Sequence, residues 1–180
     1  MNKSRLAVAI LLIPALTVVA QTSARTYRDP AGAFTIKLHR GWEAKRERAD
    51  DSWNTVISSD EYVGKLAILT IRAAPKSGAS DDLKSRLLVG SSKPFFDGWL
   101  ASLKEQARVE RASRVYKTSV AGVDALRMDV TYRRGDGNDP RTGYAVYFFG
   151  DKNTFFISLT GNETGVTAME RILATIEIEP

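Results

Sequence analysis

The 180-residue chain contains no cysteine and only one histidine, His39. Without cysteine there is no disulfide, no thiol nucleophile, no dithiol redox centre and no thiolate-bound metal, so stability has to come from packing. A lone histidine leaves one residue around which a Ser-His pair can be assembled, and no Gly-x-Ser-x-Gly elbow accompanies it. It also leaves no zinc site of the usual His and Cys ligands. Charge of one sign is scarce as well: 26 basic residues stand against 21 acidic ones, far from the basic excess of a dedicated nucleic-acid-binding domain. Beyond the first two dozen positions no apolar run approaches the ~20 residues that a helix needs to cross a bilayer, and no repeat or low-complexity tract interrupts the chain.

The amino end supplies what the rest lacks. Lys3 and Arg5 precede an uncharged apolar run of 15 residues, Leu6 to Ala20, broken by Pro14 and followed by small residues. This is the three-part pattern of an export signal, with cleavage expected after Ala20 or after Ala24. The run is short for a membrane anchor, lacks the polar face of a core helix, and has no cysteine near the cleavage point to carry a lipid. The sequence therefore predicts a signal over 1–24 and a single domain over 25–180, periplasmic or secreted and not integral to the membrane after cleavage. Losing Lys3 and Arg5 lowers the net charge from +5 to +3.

Strand patterns dominate that domain. Phe34, Ile36 and Leu38 alternate with polar neighbours, Thr55 to Ser58 is short and β-branched, and Leu66 to Ile71 is apolar on both sides, as in a central strand covered above and below. From Arg114 onward, four segments (114–120, 123–133, 144–149 and 154–160) read as an antiparallel meander, the first two joined by a tight turn at Ala121-Gly122. Helix patterns fill the gaps. Ser80 caps a short helix that stops at Gly90; Pro94 opens a second one with Phe95, Phe96, Trp99, Leu100 and Leu103 on its inner face and Gly98 weakening it by ~1 kcal/mol. Asn162 caps a last helix with Val166, Met169, Ile172 and Leu173 in one stripe. The fold class expected is α+β: an antiparallel sheet of about six to seven strands flanked by helices on both faces.

The phrase Tyr27-Arg28-Asp29-Pro30-Ala31-Gly32-Ala33-Phe34-Thr35-Ile36, closing with Gly41-Trp42, resembles the start of the PsbP-like superfamily, and the likeness extends in element order over nearly the whole domain. The resemblance implies a PsbP-like α/β/α sandwich and roles as assembly factors, chaperones and binding partners, mostly without catalysis. The chain departs from that pattern at His39, where the family usually carries a proline.

Candidate functional residues are few. His39 follows a strand with no partner group in sight and reads as a surface or turn histidine. Asp136, Asn138 and Asp139 offer oxygen atoms to a cation, but at spacings that miss the calcium-loop pattern and that a hairpin tip explains. The acidic pairs Asp50-Asp51 and Asp60-Glu61 lack the apolar enclosure that tunes a general acid. Trp53 and Tyr62 fall in polar stretches where exposed aromatics can anchor a partner. Arg108, Arg111, Arg114 and Lys117 form the one basic run. Set at the end of the long helix, one or two of them suffice to complement its dipole, and the excess marks a basic face for an acidic protein or an anionic envelope component. No cofactor or metal is implied. The sequence predicts an exported, non-enzymatic, partner-binding protein; the alternative is a small-molecule or lipid carrier with a pocket between the sheet and the Trp99 helix.

Overall fold

The computed structural model describes residues 24–49, 52–59, 67–75, 81–135 and 140–179. All but the last residue of the export signal, the two acidic pairs, Tyr62 and the loop over 136–139 lie outside them.

Two antiparallel sheets make up the molecule. The small one has the order β1 (Arg25–Arg28), β2 (Phe34–Leu38), β11 (Glu177–Ile178), with β2 in the middle. The large one has eight strands. Its order is β3 (Trp42–Ala49), β4 (Ser52–Ser59), β5 (Ala67–Pro75), β10 (Asn153–Gly161), β9 (Pro140–Phe149), β8 (Val123–Arg134), β6 (Ala107–Ala112), with β7 (Tyr116–Val120) sharing the long edge of β8. The two helices are α1 (Asp81–Gln106) and α2 (Glu163–Leu173). The strand total exceeds expectation because β1, β3, β6 and β11 carry too few apolar residues to show alternation.

The meander is present as expected: β7, β8, β9 and β10 pair in succession. Ala121 and Gly122 form its first turn with φ of 50° and 78°, the hand of turn that matches the twist of the flanking strands. The opening phrase is also explained. Asp29, buried between β1 and β2, accepts at Oδ2 from the backbone N–H groups of Ala31 (3.1 Å) and Ala33 (3.3 Å), and Gly32 takes the positive φ of 70° that closes the turn. The motif is a folding device.

Strand parity sorts the core into two sets. Tyr144, Val146 and Phe148 of β9, with Phe155, Ile157 and Leu159 of β10, cluster with Ile57, Leu69 and Ile71. The small sheet closes over them with Phe34, Ile36 and Leu38, and α2 with Met169, Ile172 and Leu173. The intervening residues, Ala145 and Tyr147, join Leu126 and Met128 of β8 against Phe96 of α1, with Trp99 only half-buried at the margin. Asn162 caps α2 as expected, its Oδ1 accepting from Gly165 N–H at 2.8 Å.

Three expectations are corrected. The two middle helices are one: α1 continues through Gly90 and Pro94. A proline forfeits the bond to the carbonyl four residues back and crowds it; here that carbonyl belongs to Gly90, so both breakers act on a single turn and the helix survives them. The segment after α1 is strand from Ala107 on, so Arg108 and Arg111 belong to β6 and not to a helix terminus. Finally, β5 is covered on one side only. Leu69 and Ile71 are buried, but Ile68 is 43% exposed, because α1 packs over β8 and β9. Among the described residues no helix is long and apolar enough to cross a membrane.

Candidate functional site

The side of the large sheet that carries α2 has a groove at its β6–β8 end. Two adjoining hollows, about 370 Å3 and 210 Å3, share Arg127 and Tyr144 as common walls. Strand register assembles the polar groups here. Arg127 lies directly across from Tyr116 on β7, and Asp129 directly across from Tyr144 on β9. The Arg127 guanidinium stacks on the Tyr144 ring at 3.7 Å from the centroid, its Nε donates to Asp129 Oδ1 at 2.8 Å, and its far nitrogen stands 3.9 Å from Glu170 of α2. Tyr116 donates a short hydrogen bond to Asp129 Oδ2. Ser113 ties the neighbouring backbone down: its N–H donates to the Asp129 carbonyl at 2.9 Å and its Oγ accepts from Asp129 N–H at 3.0 Å.

Each charge responds to its surroundings. Burial and the nearby Glu170 carboxylate push Tyr144 well above the ordinary phenol value. Partial burial, then the bond to Asp129, push Tyr116 up. Burial opposes the Arg127 charge, yet the bond to and attraction of Asp129 outweigh it and hold the guanidinium protonated. Neither tyrosine is poised to ionise near neutrality, so both act in this cluster as neutral hydroxyl groups.

The basic run is split by the fold. Arg108 lies opposite Arg133 and Arg111 opposite Thr131, both on the groove side of the sheet, and Arg111 lines the larger hollow. The register slips between Val109 and Arg111, and Glu110, the extra residue, pairs with Arg133 at 2.6 Å. Arg114 is in the exposed link before β7. Lys117 lies opposite Leu126 and so projects to the α1 side, away from the arginines. Among the described residues the side chains of Arg108, Arg111, Arg114 and Lys117 make no ion pair. Between Arg114 and Lys117, Val115 and Tyr116 are 39% and 42% exposed. His39 is exposed after β2, where its carbonyl accepts from Trp42 N–H. Trp53 is 45% exposed on β4, with the Arg46 guanidinium over its ring at 4.4 Å.

No protein-family model matches the sequence, and no curated protein matches it significantly. Solved structures do. Cyanobacterial PsbP (CyanoP) from Synechocystis superposes with a TM-score of 0.59 at 12% identity, over 89% of this chain and 95% of that one. The fold is PsbP-like. LpqN of Mycobacterium tuberculosis, involved in cell envelope biogenesis, gives a TM-score of 0.50 at 13% identity over 87% of this chain and 91% of its own. A Bacteroides thetaiotaomicron protein gives 0.55 at 12% identity, over 86% of this chain and 48% of that one.

Within the PsbP-like frame, Arg127, Asp129, Tyr144, Tyr116 and Glu170 are the residues that sequence reasoning missed. Arg127 and Asp129 show as the polar face of β8. Their grouping with two tyrosines and a helix glutamate depends on register and on where α2 lands, and no local pattern encodes either.

Proposed function

We propose that the mature chain, residues 25–180, is an exported accessory protein of the cell envelope, a chaperone, assembly factor or complex subunit without catalytic activity. It binds an acidic segment of a protein partner along the β6–β7 edge. One observation carries this reading: Arg108, Arg111 and Arg114, free of ion pairs among the described residues, follow one another along the edge that runs from β6 to the exposed Val115 and Tyr116, with Arg111 lining the Arg127 groove. Exposed aromatics flanked by arginines are the anchors that binding energy concentrates on, and unneutralised surface charge steers an oppositely charged partner. The export pattern over 1–24 and the envelope role of LpqN support the compartment. Three of the four residues of the basic run take part; Lys117, on the other side of the sheet, does not.

The test is a photo-crosslinking amino acid at position 116 in intact cells, with position 152, on the exposed β9–β10 turn, as control. A discrete protein adduct is expected from 116 and none from 152. Arg108→Glu with Arg111→Glu should abolish it, and high salt should weaken it. An adduct with lipid alone, or one indifferent to the charge reversal, overturns the proposal.

A further inference from the structure

The opposite side of the large sheet holds the largest of these cavities, about 500 Å3, between α1 and strands β4, β5 and β10. That volume is in the range of small-molecule sites. Asn54, Arg72 and Phe156 form its floor as consecutive register partners across the three strands. Phe95, Gly98 and Trp99 of α1 form the wall. Two features of this cleft are unexplained by folding.

Among the described residues Arg72 is the only cation that lines it and no carboxylate lines it, and there the Arg72 side chain makes no hydrogen bond or ion pair. The nearest acid in the same row is Glu47, one strand further out beyond Asn54 and exposed. Gly98 weakens α1, and no packing justifies it: a Cβ there would meet nothing within 4 Å. Gly98 is exposed and lines the cavity, so the wall stays low at this position. Around these groups the surfaces are aromatic, with Phe95 and Phe156 5.8 Å apart and Trp99 half-exposed beside them.

We propose that this cleft is a binding site for a small apolar carboxylic acid, its carboxylate on Arg72 and its apolar part between Trp99 and Phe156. One arginine matches a monoanion. A phosphate monoester carries a second charge that nothing lining the cleft neutralises, and a partly buried unpaired charge is disfavoured. Guanidinium offers two parallel donors to a carboxylate, and the aromatic walls take up the hydrocarbon. The site is separate from the β6–β7 edge and does not depend on the partner reading.

The experiment titrates the purified mature chain with 4-phenylbutyrate, 4-phenylbutanol and 4-phenylbutyl phosphate, following the Trp99 indole N–H signal by NMR, assigned with Trp99→Phe. The acid should bind saturably and at least tenfold more tightly than the alcohol, with the phosphate weaker than the acid. Arg72→Gln should erase the preference for acid over alcohol. Gly98→Leu should abolish binding of both while leaving the thermal midpoint unchanged or higher, which separates a filled cleft from a damaged fold. No saturable shift with the acid, equal binding of acid and alcohol, a phosphate that binds better than the acid, or wild-type binding in Gly98→Leu each overturns the proposal.

Discussion

The two sides of the large sheet are built from the same strands and do opposite jobs. On the side of α2 and the small sheet, the described residues include 19 buried apolar side chains in one cluster. On the α1 side the described residues include a cluster of five, and the β3–β5 half of that surface presents Glu43, Lys45, Glu47, Asn54 and Arg72 with Ile68 in the open. A strand alternates its residues between two faces, so the chain keeps folding and exposure in separate registers of one segment. The lesson is that the dry side holds the molecule together, which leaves the half-covered side and the sheet edge free to carry polar groups at little cost in stability.

The sharpest way to break this contrast is Phe148→Ala. Phe148 is fully buried on the α2 side and stacks on Phe155 at 4.9 Å. The expected loss is about 3–5 kcal/mol in a denaturant melt. On the other side, Trp99→Ala should lose only about 1–3 kcal/mol, since part of its ring already meets water; equal losses for the two variants would show that the sides are not different in kind. Asn162→Ala tests the support for the dry side, because α2 completes it. Loss of the cap should lower stability by about 1 kcal/mol, visible in the same melts, with no effect on binding at the α1 cleft.

The smallest effect belongs to the groove. Burial raises Tyr144 in the folded chain, so its contribution to stability is complete below about 10, the ordinary tyrosine value, and falls as pH rises past it, where the unfolded side chain ionises first. Tyr144→Phe keeps the ring beneath Arg127 and should leave stability at neutral pH nearly unchanged while reducing the alkaline fall. Melts taken across that range check it. The residual slope includes Tyr116, which is shifted in the same direction.

What the sequence made legible follows from the same division. Strands β2, β8, β9 and β10 each bury a run of at least three alternate residues, and the spacing showed them. Strand β3, Trp-Glu-Ala-Lys-Arg-Glu-Arg-Ala, is an edge strand with charges on both faces, and charge on an edge blocks unwanted pairing while erasing the alternation. Strand β6 follows α1 with no breaker between Gln106 and Ala107, so its arginines looked helical. Of the groove, Arg111 was legible as part of a basic run, whereas Tyr116, Tyr144 and Glu170 became neighbours only through pairings and packing across three elements. The opening motif, legible as a family likeness, proved to be the wiring of the β1–β2 turn.

The central position of β2 in the small sheet has a consequence for the order of events in folding. One neighbour of β2 is β1, a few residues upstream. The other is β11, where Glu177 and Ile178 pair with Thr35 and Phe34, Glu177 lying 142 positions beyond Thr35. The bond from Glu179 N–H to the Ala33 carbonyl and the Arg28–Glu179 ion pair extend that closure. Contacts so distant along the chain bear their loop entropy before they return any stabilisation, and such topologies fold slowly. Until residues 177–178 are in hand, Phe34 and its neighbours lack one flanking strand, so the amino-terminal hairpin waits on the carboxyl-terminal end of the chain to complete its sheet.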